Sequence, residues 1–199
     1  MRRLTIGLTG TLGAGKSTAL AELQRLGAAT ICADELARRL SAKGGAIARA
    51  VRRDFGPGFL RADGSVDRPA LARRVFSDPE ARRRLERATH PRILREALRL
   101  LGRSRAPVAV VDAPVLFEAG LGERFDVTVT VSAPRDAALR RLARRGMSRA
   151  ESLRRMRAQW PARRKEAAAD VVLSNRGSRK DFLKLVREYY RAWELIARG

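Results

Sequence analysis

Residues 10–17 read Gly-Thr-Leu-Gly-Ala-Gly-Lys-Ser, an intact GxxxxGKS sequence directly after the apolar run Leu4-Thr5-Ile6-Gly7-Leu8 and directly before a helical pattern. Strand, glycine-rich loop and helix in that order make a phosphate-binding loop, and the context names the ligand class as a nucleoside triphosphate with its magnesium ion. Gly10, Gly13 and Gly15 free the backbone to turn its N–H groups inward at phosphate oxygens. Lys16 supplies a point charge to the β- and γ-phosphates, Ser17 offers a hydroxyl to Mg²⁺, and the helix that follows presents its positive end to the anion. The nucleotide-binding residues are therefore Leu12, Gly13, Ala14, Gly15, Lys16, Ser17 and Thr18.

The rest of the chain supplies the sheet that such a loop needs. The segment 28–32 is a short candidate strand that delivers Asp34 at its carboxyl end, where open α/β sheets place their ligands. Residues 107–112 form an apolar run ending in Asp112, the pattern of a buried parallel strand with an acid at its tip. Further strands are predicted at 127–131 and 170–173. Helices are predicted over 17–26, 35–42, 46–54, 134–145, 148–158 and 179–197, with another led by Pro161. From Arg68 to about Arg103 the pattern is helical, with interruptions predicted at Asp78-Pro79 and His90-Pro91, because proline suits the first turn of a new helix. Strands alternating with helices at this spacing imply a parallel, five-stranded sheet covered on both faces.

Composition narrows the class. At 199 residues the chain is long enough for one α/β domain with small inserted lobes. No uninterrupted apolar stretch is long enough to span a bilayer, and the N-terminus enters a strand at once, so the expectation is a cytoplasmic protein with no membrane partner. A single cysteine, Cys32, fits a reducing compartment and a structural role. The formal charge of +22 comes from 43 Lys and Arg against 21 Asp and Glu. The basic residues are mostly arginine and spread along the whole chain, as a coding bias would leave them, and aromatic residues make up only 5%. Nucleic acid is thus not the expected primary partner, and a monomer is expected.

The loop fixes a nucleotide but not the acceptor. Here a wider set of residues enters: Ile6-Gly-Leu-Thr-Gly10, Ala33-Asp34-Glu35-Leu36-Ala37-Arg38, Asp67-Arg68 with Leu71 and Val75-Phe76, His90-Pro91, Asp112-Ala-Pro-Val-Leu-Phe-Glu118, Arg141-Leu142 with Arg145, Gln159-Trp-Pro161 with Lys165, and Ala169-Asp170 with Asn175 and Gly177. In order and spacing, over nearly the whole chain, these resemble the dephospho-CoA kinase family. The resemblance implies a P-loop NTPase fold, nucleotide-monophosphate-kinase-like, with three α/β/α layers. Its core would lie at 1–35, 105–137 and 167–199, a helical acceptor lobe at about 36–104 and a lid at about 138–166. It also implies ATP-dependent phosphorylation of the ribose 3′-hydroxyl of dephospho-CoA.

Residue roles follow from that resemblance. A ribose hydroxyl is a poor nucleophile, so a carboxylate must orient it and take its proton; Asp34 is the candidate base, and its plain alternative is a helix N-cap before Glu35. Asp112 is a candidate for Mg²⁺ or acceptor contact, against a turn-capping acid. Phe117 and Glu118 are placed at the acceptor pocket, Glu118 having a solvated loop acid as its alternative. Arg141 and Arg145, four residues apart and so on one helix face, are the candidate lid cations, Arg141 for catalysis and Arg145 for the nucleotide. His90 and Arg68 are candidates for acceptor binding, His90 with a packed or capping residue as the alternative, and Asn175 and Gly177 for the turn that borders the adenine. The family often carries Asp-x-Asp where this chain has Cys32-Ala33-Asp34, so the first acid is missing, and activity is expected to survive on Asp34. Two other readings stay open at this point. Another small-molecule kinase of the same fold would bind nucleosides without the pantetheine arm, and a nucleic-acid-associated NTP-binding protein would show nucleic-acid-stimulated hydrolysis.

Overall fold

A computed structural model describes residues 3–199. Strands β1 (Leu4–Gly10), β2 (Ala29–Cys32), β3 (Val108–Asp112), β4 (Val127–Ser132) and β5 (Val171–Ser174) form one sheet in the order β2-β3-β1-β4-β5. β1 pairs in parallel with both β3 and β4, and β4 with β5. The register sets Leu8 opposite Asp112 and Thr9 opposite Thr130, so the tips of the central strands converge where β1 enters the glycine-rich loop. By contact density the chain divides into two compact units. One comprises the described residues up to Ile31 together with Ser104–Gly199, and the other is Cys32–Arg103.

In the first unit, alternation along each strand sorts the two faces of the sheet. Leu4, Ile6, Leu8, Val108, Val110, Val129 and Val131 join a buried core with Leu23 of α1 (Lys16–Arg25) and Phe182, Val186, Tyr190 and Trp193 of α9 (Arg179–Arg198). The other face carries Gly7, Thr9 and Thr130. A Cβ on Gly7 would stand 2.8 Å from the Phe125 ring and 2.9 Å from Leu116, so the β3–β4 connection lies directly on the strand there. Helix α9 begins at a capping box, in which the Ser178 hydroxyl accepts from the Asp181 N–H and the Asp181 carboxylate accepts from the Ser178 N–H.

Helices α1 and α9 are also joined by charge. The buried Glu22 carboxylate accepts from Arg187 Nε at 2.5 Å, Arg25 Nη2 at 2.8 Å and Arg25 Nε at 3.0 Å. Hydrogen bonds from Arg25 and then Arg187 hold its carboxyl down at about 2, against the opposing effect of burial.

In the second unit, α5 (Pro79–Gly102) packs against α2 (Ala33–Leu40), α3 (Ala46–Phe55) and α4 (Arg68–Ser77) around Ile47, Val51, Val66 and Leu71. Asp67 caps α4 by accepting from Ala70 N, and Asp78 caps α5 by accepting from Glu80 N and Ala81 N. The break at Asp78-Pro79 is thus as predicted, but the one at His90-Pro91 is not, because α5 runs straight through it. Pro91 has no N–H to return to the preceding turn. Packing on three helices sustains α5 instead, together with Thr89 Oγ1 donating to the Leu85 carbonyl at 2.8 Å and Arg92 Nη1 to that of Ala88 at 2.5 Å. Among the described residues no helix is long and apolar enough to cross a membrane.

The Glu22 cluster has a pH signature. A carboxylate whose folded-state value is depressed adds stability above its unfolded value of 4.5, and that stability is lost as pH falls through about 2, since the unfolded chain binds the extra proton in this window. Glu22→Gln is expected to lower stability at neutral pH by about 1–2 kcal/mol, the partner guanidiniums being partly exposed. Melting temperatures of both proteins taken from pH 2 to 5 should converge towards the acid end.

Candidate active site

The loop between β1 and α1 is held open from outside. Gly15 has φ of +108° and serves as the N-cap of α1, and a Cβ on it would lie 2.2 Å from Asn175 Nδ2. Gly13, at φ +78°, passes so close to the first turns of α6 (Arg135–Ala143) that a Cβ would meet the Ala138 carbonyl oxygen at 2.8 Å. Only glycine combines these angles with this clearance. Asn175 directly follows β5 and is buried; its backbone N–H donates to the Ser132 carbonyl at 2.7 Å and its Nδ2 donates to that of Ala14 at 2.7 Å. Arg141 Nη1 donates to the carbonyl of Ala14 at 3.1 Å and of Gly13 at 3.4 Å, while its Nη2 donates to Asn175 Oδ1 at 3.1 Å and to the Asn175 carbonyl at 3.3 Å. The carbonyls of residues 13 and 14 are thus taken up by side chains from α6 and the end of β5, and the Ala14 N–H donates within the loop to the Thr11 carbonyl at 3.1 Å.

Lys16 opens α1 and its ammonium pairs with Asp112 Oδ1 at the tip of β3, the acid being buried. A charged pairing with the loop lysine thus stands beside the turn-capping alternative for Asp112. Ser17, second in α1, is exposed; Leu12 and Thr18 are half-buried. The donor set fits magnesium chemically, since Ser17 and Asp112 offer hard oxygens of the kind Mg²⁺ takes beside nucleotide phosphates.

A second cation lies behind this one. Lys165, on α8 (Ala162–Ala168), is 0% exposed. Its Nζ donates to the Pro114 carbonyl at 2.5 Å and to Thr9 Oγ1 at 3.4 Å, and stands 3.0 Å from Glu118 Oε1. Burial pushes this ammonium below the ordinary lysine range; Glu118 opposes the shift and the Lys16 charge adds to it. Glu118 Oε1 also accepts from Trp160 N at 2.8 Å. Glu118 is thus not a solvated loop acid, since burial of the lysine beside it requires a counter-charge. Phe117 stacks on Trp160 at 6.4 Å between centroids and 17° between planes, and the Arg164 guanidinium lies 3.5 Å over the same indole. A cavity of about 520 Å³, walled by Thr11, Ala133, Ala138, Met156, Trp160 and Pro161 and flanked by Arg135 and Arg157, adjoins the loop.

One expectation about the arginines changes. Helix α6 ends at Ala143, so Arg145 sits in the following turn and is exposed, not one helical turn along from Arg141 on the same face. The Arg145 N–H still donates to the Leu142 carbonyl at 2.9 Å, in the tightening that ends the helix before Gly146. Gly177 is exposed, immediately before the N-cap of α9.

Asp34, Arg68 and His90 all belong to the Cys32–Arg103 unit. α2 starts at Ala33, which makes Asp34 an exposed residue of the first turn and gives the N-cap to Cys32. The capping alternative for Asp34 is thus excluded. Cys32 has extended backbone angles and supplies no side-chain acceptor, where an acid would accept from the first-turn amides. Arg68 is exposed at the start of α4. His90 is half-buried inside α5, not at a helix start, and burial lowers its imidazole from the ordinary value while Glu86 opposes the shift.

The sequence profile of the dephospho-CoA kinase family matches residues 4–181. The chain belongs to the dephospho-CoA kinase family. It is 43% identical to the dephospho-CoA kinase of Frankia casuarinae over 98% of this chain and 84% of that one. Against that of Geobacter sulfurreducens it is again 43% identical, over 93% of this chain and 96% of the other. Among solved structures, a dephospho-CoA kinase from Campylobacter jejuni is similar at a TM-score of 0.68 and 25% identity, with 98% of each chain covered. A shikimate kinase from Acinetobacter baumannii, at TM-score 0.54 and 17% identity over 96% of this chain and 94% of that chain, shares the fold alone. Membership makes this chain a kinase that phosphorylates dephospho-CoA to give CoA, with ATP as the co-substrate the family implies.

The Asn175 brace gives this kinase a direct test. Asn175→Ala removes the shorter of the two hydrogen bonds to the Ala14 carbonyl, leaving that of Arg141, and loosens the loop, so the ATP dissociation constant is expected to rise roughly tenfold, the equivalent of about 1.4 kcal/mol. Isothermal titration calorimetry of both proteins reads this directly, and an unchanged constant would show that the loop holds its shape without the brace.

Proposed function

We propose that the loop holds MgATP, that Asp34 is the base, and that the acceptor's ribose 3′-hydroxyl is the nucleophile. The Asp34 carboxylate takes the hydroxyl proton, the ribose oxygen bonds to the γ-phosphorus, and the bond from that phosphorus to the β–γ bridging oxygen breaks, leaving ADP with the electron pair. Magnesium, when bound, neutralises charge on the phosphate oxygens, and Ser17 and Asp112 are the residues that would hold it. Lys16 exchanges its carboxylate partner for the β- and γ-phosphates.

Arg141 serves here through the loop. Its hydrogen bonds to the Gly13 and Ala14 carbonyls support the view that it fixes the cradle and lends it positive charge, in place of a cation that swings over the phosphates. Arg145, exposed beyond α6, is left as a nucleotide contact, and Asn175 and Gly177 as the border of the base. Arg68, His90, Phe117 and Glu118 are assigned to the acceptor. The segment at about 138–166 is assigned as the lid, and the apolar cavity flanked by Arg135 and Arg157 suits a ligand that is anionic at one end and apolar at the other.

The observation that carries this reading is the pairing of Lys16 with Asp112 behind an intact phosphate loop in a chain of this family. Incubation with MgATP and dephospho-CoA, with adenosine and AMP as parallel acceptors, should add one phosphoryl mass to dephospho-CoA alone. Asp34→Asn is expected to lower kcat by about 10²–10⁴-fold with ATP affinity unchanged, the range for loss of a general base. Near-normal turnover of that variant would remove Asp34 from the role.

A further inference from the structure

Lys165 is the largest fully buried side chain of the described residues, and no step of the transfer uses it. Burying an ammonium is costly, and an apolar side chain of the same size would satisfy packing at less cost. The cluster is also imperfect as a stabilising device. Glu118 Oε2 is buried without a hydrogen-bond partner, and so is Oγ1 of Thr130, which neighbours Thr9 on the same face of the sheet. Such polar groups in a packed interior need a reason beyond stability.

The partners of Lys165 supply that reason. Thr9 is the last residue before Gly10, where the phosphate loop begins, and its hydroxyl donates to the Pro114 carbonyl at 3.1 Å. Pro114 lies two residues beyond Asp112, the acid that holds Lys16. Glu118, four residues further on, carries the backbone of Trp160 and so the entry to α8. One ammonium therefore joins the entrance of the loop, the segment behind the acid and the helix that returns to the sheet.

We propose that Lys165 is a positioning residue for phosphoryl transfer: by tying Pro114 and Glu118 beneath Thr9 it sets where Asp112, and hence Lys16, stands. It touches neither nucleotide nor acceptor. Its loss displaces the acid at the tip of β3 while leaving the loop N–H groups, braced separately by Asn175 and Arg141, in place. The inference rests on the reading of Lys16 and Asp112 as parts of the transfer site.

The test compares Lys165→Met, Lys165→Met with Glu118→Gln, Glu118→Gln alone and, as a reference for the site, Lys16→Ala. Lys165→Met is expected to lower both melting temperature and kcat, the latter by about 10–100-fold, the usual effect of a misplacement of about 1 Å, with KM for ATP within about threefold. The double variant removes the unpaired carboxylate and keeps an acceptor for Trp160 N. Its melting temperature is expected to recover while kcat stays low and KM for dephospho-CoA stays within about threefold, a combination that neither a purely structural lysine nor loss of an acceptor contact at Glu118 would give. Glu118→Gln leaves Lys165 its carbonyl and hydroxyl partners and is expected to fold, with kcat lowered about 3–10-fold at unchanged KM for ATP. Recovery of kcat together with melting temperature in the double variant, or wild-type kcat in Lys165→Met or Glu118→Gln, overturns the proposal. Full activity of Lys16→Ala would instead overturn the underlying site reading.

Discussion

A glycine-rich turn has little reason of its own to stay open, because glycine loses more conformational freedom on ordering than any other residue. In this kinase that cost is met by the buried amide of Asn175 and the guanidinium of Arg141, which between them take up the carbonyls of Gly13 and Ala14. Asn175 is itself fixed by β5 through the Ser132 carbonyl, and Arg141 by its place on α6. The loop is thus shaped by the strand and helix that come last and late in the chain, and its contact with Gly15 is so close that a single added carbon would displace the amide.

Electrostatics at the strand tips follow from the same geometry. Parallel pairing of β1 with β3 brings Asp112 level with the last residues before the loop, and the pair with Lys16 keeps a buried carboxylate compensated. Behind it, Lys165 and Glu118 form a second compensated pair on the threonine-bearing face of the sheet. Two cations converge on one edge, each with its own acid, so neither pair depends on bulk solvent for its charge balance. This arrangement suits a reaction in which negative charge arrives with the ligand.

Much of this was legible in the sequence, and for identifiable reasons. The glycine-rich loop, the apolar run ending in Asp112 and the alternation of strands with helices are local patterns, and the five-stranded parallel sheet follows from them. What local pattern misjudged is tertiary. Pro91 reads as a helix start because proline favours that place, yet packing of α5 on three other helices carries the helix through it. The cap alternative for Asp34 supposes a helix that starts at Glu35; the helix starts two residues earlier, so the cap falls to Cys32. Arg145 reads as a helical partner of Arg141 until Gly146 ends the turn. Local pattern gives Lys165 no role, although the sequence carries a signal. In a chain whose basic residues are overwhelmingly arginine, lysine is scarce, confined to Lys16, Lys43, Lys165, Lys180 and Lys184, and two of these lie at the strand tips.

That scarcity allows the central claim, that Lys16 is held by an acid and handed to the nucleotide while the scaffold behind it stays fixed, to be read directly. Nitrogen-15 NMR of the lysine ammonium groups, assigned by Lys16→Arg and Lys165→Met substitutions, would be recorded without nucleotide and at saturating MgATP. The account expects the Lys16 resonance to move as its partner changes from carboxylate to phosphate, with that of Lys165 unmoved. A Lys16 resonance that stays in place on ATP binding would contradict it.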